Sequence, residues 1–141
     1  RHYLPDMLKR DWGRVVFVSS ESGVQIPAEM IHYGMTKSAQ IAIARGTAEL
    51  TAGTAVTVNS ILPGPTRSEG VDDFVAKLSG GQPFDEFEKE FFRSVRPTSL
   101  IQRFATVDEV AATVAFVCSP RASAINGSAL RVEGGVLKSA F

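Results

Sequence analysis

The chain has 141 residues, is 44% hydrophobic and 21% charged, and carries a formal net charge of zero. That length bounds it to one domain with a modest core, and the composition is that of an ordinary soluble globular protein. Zero net charge without a long basic run argues against nucleic acid or an anionic membrane as the main partner, and no apolar stretch approaches a membrane span.

The first residue, Arg1, is not an initiator, and Tyr3, Leu4, Met7 and Leu8 fall at helical spacing as if a helix were already in progress. The expectation is a chain whose front lies upstream. After a turn at 11–13, residues 14–18 form a short run rich in β-branched side chains, the pattern of a parallel strand buried on both faces. A Ser/Gly loop at 19–23 leads to a long helical segment at about 31–50. In it, Met35, Ala39, Ala42 and Ile43 repeat at helical spacing, and Gly53 marks the exit. Residues 55–61 read as a second strand, stopped by Pro63-Gly64-Pro65.

Residues 67–103 hold two amphipathic stripes, one of Val71, Phe74, Val75 and Leu78 and one of Phe84, Phe87 and Phe91, separated by Gly80-Gly81. The phenylalanine stripe suits a substrate wall and a packing face equally. Thr106 and Glu109 have the spacing of a capping box. The helix they open places Val107, Val110, Ala111, Val114 and Val117 on one face. A turn at Asn126-Gly127 precedes a last strand at 128–132, ending at Glu133-Gly134-Gly135. The order strand, helix, strand, helical insertion, helix, strand predicts an α/β fold: about three parallel strands with crossover helices, half of a doubly wound, Rossmann-type sheet.

Three isolated residues carry weaker signals. Cys118, the single cysteine, lacks Cys or His neighbours at metal-ligand spacing. It reads as a core residue of a protein kept in a reducing compartment, the cytoplasm. His2 and His32 read as exposed or capping residues rather than ligands, so no metal site is expected. Trp12 reads as a packing residue.

The residues with a chemical signature are Tyr33 and Lys37, four apart at the start of the long helix. They share a helical face, about 5–6 Å apart at Cβ. A free tyrosine has a pKa of about 10, and a nearby ammonium favours the phenolate, which suits a proton-exchanging phenol. Taken alone the pattern is short. Its context adds weight: Ser20 lies thirteen residues earlier, just past a parallel strand, at the strand end where open α/β sheets bind ligands. A serine hydroxyl there can donate to a substrate oxygen; Ser19 and Ser22 are rivals on the same loop. At the end of the second strand, Gly64 would permit close approach of backbone to a flat ring.

These segments, Val18-Ser19-Ser20-Glu21-Ser22-Gly23, Tyr33-Gly34-Met35-Thr36-Lys37, Val58-Asn59-Ser60-Ile61-Leu62-Pro63-Gly64-Pro65-Thr66, Asp108-Glu109-Val110-Ala111 and Asn126-Gly127 through Gly135, together resemble the short-chain dehydrogenase/reductase family in order and spacing. The match corresponds to its C-terminal catalytic half across nearly all of residues 1–141. The resemblance implies an NAD(P)-dependent oxidoreductase acting on a carbonyl or alcohol. In it Tyr33 would be the general acid/base, Lys37 would hold the nicotinamide ribose and lower the Tyr33 pKa, and Ser20 would orient the substrate oxygen. Pro63, Gly64 and Thr66 would line the nicotinamide, Ser68 would stand near the cofactor, and 67–103 would form the substrate-binding segment.

Family members pair through the helix that carries Ala39, Ala42, Ala44, Gly46 and Ala48, which implies a homodimer or homotetramer. The family's glycine-rich phosphate loop, the residues that choose NAD or NADP, and the asparagine of its proton relay have no counterpart in 1–141, so the choice of cofactor stays open. These residues alone are expected to bind NAD(P) weakly or not at all. Glu133 stands where the family more often has aspartate. The alternatives are a non-catalytic family member acting as nucleotide-binding or scaffold protein, against which Ser20, Tyr33 and Lys37 argue, and an epimerase or dehydratase of the extended branch, against which the 126–135 ending argues.

Overall fold

A computed structural model describes residues 2–78 and 82–140. The helix expected to be already in progress at the start begins only at Leu4, with Tyr3 as its N-cap residue, as α1 (Leu4–Lys9), and is followed by β1 (Gly13–Val18), α2 (Ile31–Glu49) and β2 (Val56–Pro63). The insertion contributes α3 (Glu69–Leu78) and α4 (Phe84–Ser94), and the chain ends with α5 (Val107–Cys118) and β5 (Ala129–Val132). Two further strands of two residues each, β3 (Thr66–Arg67) and β4 (Ala105–Thr106), were not expected from the sequence.

The strands β1, β2 and β5 form one parallel sheet in that order, with Gly13 opposite Val56, Val18 opposite Ile61, and Pro63 opposite Val132. The central strand β2 is buried from Val56 through Leu62. β1 is an edge strand among the described residues, and most of it is half-buried rather than buried on both faces as expected, with Val18 exposed. A core forms where Ala44 and Ala48 of α2 seat on Val58, with Val15 and Phe17 alongside. The helix thus buries its small residues, Gly34, Ala44 and Ala48, because these let it approach the sheet closely. The repeating residues Met35, Ala39, Ala42 and Ile43 point outward, and of the small residues named for pairing, Ala39, Ala42 and Gly46 are exposed while Ala44 and Ala48 are turned to the sheet. Periodicity locates a stripe but not the side on which the sheet lies.

Helix α5 lies against β1, β2 and β5. Only Val117 of its stripe is fully buried; Val110 and Val114 are half-buried, and Val107 and Ala111 are exposed. Cys118, expected in the core, is exposed one residue further round the helix. His2 and His32 are exposed. Trp12 is half-exposed beneath the Arg14 guanidinium, 5.5 Å from the ring centroid, rather than packed inside. No described helix is long and apolar enough to cross a membrane.

Side-chain amides fasten the turn before β5 to the central strand. Asn59 donates to the Ile125 carbonyl at 2.9 Å and accepts from the Ser128 N–H at 3.0 Å, and Asn126 accepts from the Val58 N–H at 2.8 Å. These bonds satisfy buried backbone groups where the ladder ends.

The insertion is closed at its base by the parallel pair β3–β4, Thr66 opposite Ala105 and Arg67 opposite Thr106. The Gly80-Gly81 separator, and the side chains of Phe74 and Leu78, lie outside the described residues.

The capping box is present: the Thr106 hydroxyl accepts from the Glu109 N–H at 3.2 Å, and the Glu109 carboxylate accepts from the Thr106 N–H at 2.8 Å. Arg103 grips the same carboxylate with two bonds of 2.7 and 2.9 Å. The Arg103 hydrogen bonds, followed by the Thr106 backbone bond, lower the Glu109 pKa from 4.5 to about 2. A carboxylate with a depressed folded-state pKa contributes stability that is complete above its unfolded value and is lost as pH falls through the folded one. The melting temperature of a Glu109→Gln variant should therefore fall less steeply than that of the unaltered protein between pH 4.5 and about 2. Identical slopes would contradict this reading of the cap. The carboxylate is exposed, so the effect is small.

Candidate active site

The end of β1 delivers four consecutive polar residues, Ser19, Ser20, Glu21 and Ser22. Ser19 continues the ladder, its N–H donating to the Ile61 carbonyl at 2.9 Å, while its hydroxyl donates to the Lys37 carbonyl at 2.8 Å. Ser20 adopts an extended backbone, and its Oγ accepts from the Ser22 N–H at 3.1 Å, capping the 3-10 turn Glu21–Gly23. The Ser22 hydroxyl donates to the Glu21 carboxylate at 2.9 Å. The hydroxyl protons of Ser19 and Ser22 are thus engaged. That of Ser20 has no acceptor among the described residues, so it is free to donate.

Helix α2 packs directly on this loop. A Cβ at Gly34 would fall 2.5 Å from the Ile26 side chain and 2.9 Å from the Ser22 carbonyl oxygen, so only glycine lets the helix start lie this close. Ser38 reinforces the contact, its hydroxyl lying 2.6 Å from the Gly23 carbonyl and 2.9 Å from that of Gly34. The outcome is a fixed position for Tyr33, half-buried one turn above Lys37. The Lys37 ammonium donates to the Val18 carbonyl at 3.0 Å and to Gln40 Oε1 at 3.4 Å, and stands 5.4 Å from the Tyr33 ring centroid. That distance is within the range of cation–π attraction. No hydrogen bond to the Tyr33 hydroxyl is found among the described residues.

Ser20 and Tyr33 line one cleft of about 310 Å³ together with Gly64, Pro65 and Thr66 from the end of β2. Its remaining wall comes mainly from the insertion: Val71 and Val75 of α3, and Phe87 and Phe91 of α4, with Phe104 beyond. Four of the predicted site residues therefore meet in one place. The other three do not line it. Lys37 stands behind Tyr33, Pro63 ends β2 and yields its place to Pro65, and Ser68 borders a separate depression with Arg67, Glu69 and Val107.

Gly64 has a packing reason of its own. A Cβ there would fall 2.6 Å from the Glu133 carbonyl oxygen and 2.7 Å from its Cα, so the close approach that demands glycine is to the end of β5. Thr66 turns its hydroxyl back to the Gly64 carbonyl at 2.9 Å, holding the loop. Glu133 is itself buried. Its carboxylate accepts from the Val136 N–H and, at 3.1 Å, from the Leu137 N–H, and pairs with Arg131 at 2.8 Å.

The phenylalanine stripe packs on itself and also reaches the cleft. Phe84, Phe87 and Phe91 gather on Phe104, with centroids 5.6, 6.4 and 5.0 Å away, and Phe87 and Phe91 also face the cleft. Phe104 was not singled out in the sequence; an isolated aromatic beyond the stripe has no periodic signal. A second unanticipated feature is an ion pair in the cleft wall, Arg96 Nε to Glu21 Oε1 at 3.1 Å, between residues 75 apart in sequence.

A protein-family model described as "Enoyl-(Acyl carrier protein) reductase" matches residues 1–137. The chain belongs to the short-chain dehydrogenase/reductase family. Within that family it is 53% identical over 141 residues to "Uncharacterized oxidoreductase YvrD" of Bacillus subtilis, covering 99% of this chain and 54% of the relative. Identity to the "D-beta-hydroxybutyrate dehydrogenase" of Cupriavidus necator is 31% over 136 residues, 94% of this chain and 51% of the other. Among solved structures, L-sorbose reductase from Gluconobacter frateurii complexed with NADPH and L-sorbose superposes with a TM-score of 0.84 at 30% identity, over 96% of this chain and 51% of that one. The chain spans about half the length of the curated relatives it matches. The three-stranded parallel sheet is accordingly half of the dehydrogenase/reductase fold, as the alternation of strands and helices predicted.

Proposed function

We propose that the complete protein is an NAD(P)-dependent oxidoreductase that interconverts a carbonyl compound and its alcohol. The observation that carries this reading is the convergence of the free Ser20 hydroxyl and Tyr33 on one cleft, with the Lys37 ammonium 5.4 Å from the Tyr33 ring. The donor set suits the nicotinamide half of the cofactor. Lys37 keeps an ammonium proton beyond its two described acceptors, and Tyr33 its hydroxyl, for ribose oxygens. Gly64 and Thr66, which line the cleft, offer a backbone edge for the ring and its amide, and Pro63 leads into that edge from the end of β2. When bound, NAD(P) supplies or accepts the hydride.

The remaining work falls to this chain. In reduction Ser20 donates a hydrogen bond to the substrate oxygen, where negative charge grows. Tyr33 delivers a proton to that oxygen, and Lys37 stabilises the phenolate left behind. In oxidation the proton returns to Tyr33. The aromatic and aliphatic wall from 67–103 holds the body of the substrate and excludes water from the reacting centre. The description of the relative YvrD as an oxidoreductase and the NADPH of the sorbose reductase complex support the assignment. The experiment is direct: the complete protein, given NADH or NADPH and a panel of ketones and aldehydes, should consume cofactor and carbonyl one for one. Cofactor binding without any turnover would favour the scaffold alternative.

The outward stripe of α2, with Met35 62% and Ile43 55% exposed, supports a homodimer or homotetramer built on this helix. A strictly monomeric mass for the complete protein in solution would contradict that assembly.

A further inference from the structure

An ion pair in the cleft wall stands apart from Ser20, Tyr33 and Lys37 in role. Glu21 directly follows Ser20, and Arg96 lies just beyond α4. Their side chains are 5% and 12% exposed, and both line the cleft. The carboxylate is fully engaged, Oε1 by Arg96 and Oε2 by the Ser22 hydroxyl. Arg96 also donates through Nη1 to the Val95 carbonyl at 3.0 Å. Among the described residues the rest of the cleft wall is uncharged and mostly apolar, dominated by Phe87, Phe91 and Phe104, while Arg96 also borders a separate depression with Glu29.

A single guanidinium in such a wall would be a receptor for carboxylates, because its donors form a fork that matches two oxygens. A single carboxylate there would repel them. Held together at 3.1 Å, the two cancel. We propose that the Glu21–Arg96 pair makes the cleft select an uncharged carbonyl or alcohol with an aromatic or aliphatic body over the same molecule bearing a carboxylate. This rests on the reading that the cleft receives the substrate, and adds the charge class of that substrate. It requires Glu21 to act as counter-charge to Arg96, and not merely as a tie between two segments.

The test compares acetophenone with 4-acetylbenzoate, which present the same ketone and differ in a remote carboxylate. Their dissociation constants are measured by calorimetry on the complete protein saturated with oxidised NAD or NADP, so that no turnover intervenes. The unaltered protein should bind acetophenone about tenfold tighter or more, the cost of seating an unpaired charge in an apolar wall. Glu21→Gln frees the guanidinium and should move the ratio about tenfold toward 4-acetylbenzoate. Arg96→Gln leaves the carboxylate and should move it the other way, and the double variant should return close to the starting ratio.

A purely structural pair would weaken both ketones in parallel and leave the ratio unchanged; that result overturns the proposal. It is overturned equally if the unaltered protein binds the two alike, prefers 4-acetylbenzoate, or binds neither. Because the unaltered protein's own ratio is decisive, a variant that fails to fold does not shelter the proposal. Carbonyl reduction that persists while the ratios fail removes the charge assignment alone. Ratios as stated without any carbonyl reduction remove the oxidoreductase reading instead.

Discussion

Tyr33→Phe in the complete protein is expected to cut kcat by about a hundredfold or more, the usual range for losing a positioned acid/base. The substitution removes one oxygen and keeps the ring that Lys37 faces at 5.4 Å. No described group bonds to the lost hydroxyl, so no partner is left orphaned. The melting temperature should accordingly stay within about two degrees of the unaltered value, since no mechanism of large destabilisation applies. The variant separates a chemical role from a packing role: loss of turnover with folding intact is the signature of a proton carrier. Near-normal turnover would remove Tyr33 from the mechanism.

Phe92→Ala should be among the more destabilising single changes in the chain. Phe92 is 1% exposed and meets two rings edge-on, Phe91 at 5.2 Å and Phe104 at 5.2 Å. Truncating a buried phenylalanine costs about 3–5 kcal/mol, combining lost transfer energy with the cavity left behind. For a protein of 150–250 residues that corresponds to a fall in melting temperature on the order of 10 °C. The consequence for the site follows from position. Phe91 and Phe104, which lose this neighbour, form part of the cleft wall, so substrate affinity should fall as well. A drop of about two degrees or less would show that α4 is not anchored through Phe92.

What could be read in the sequence divides along a physical line. Signals carried by neighbours in the chain were legible. The β-branched run gave β1, the spacing of Thr106 and Glu109 gave the start of α5, and Asn126-Gly127 gave the turn into β5. The site was legible to the same extent: Ser20, Tyr33, Gly64 and Thr66 meet in one cleft because strand ends and a helix start converge there.

Contacts between distant segments were not legible. Nothing local marks Glu21 for Arg96, or Thr66 for Ala105. Nothing local separates Ala44 and Ala48, which meet the sheet, from Ala39 and Ala42, which face outward, because periodicity alone does not say which side the sheet lies on. Nor does anything local mark Gly64 for its close approach to the backbone of Glu133. Ser68 was placed by resemblance, and the fold sends it to a different depression.

The central claim, hydride transfer to a substrate oriented by Ser20 and protonated through Tyr33, is tested most directly by following the transferred hydrogen itself. The complete protein is given NADH or NADPH carrying deuterium at nicotinamide C4 on one defined face, with a ketone that it turns over. The alcohol is then analysed by mass spectrometry and NMR. The account predicts one deuterium, on the carbinol carbon, when the labelled face is the one used, and none when the opposite face is labelled. A solvent-derived hydrogen on that carbon in both experiments, or no alcohol with any carbonyl offered, would contradict it.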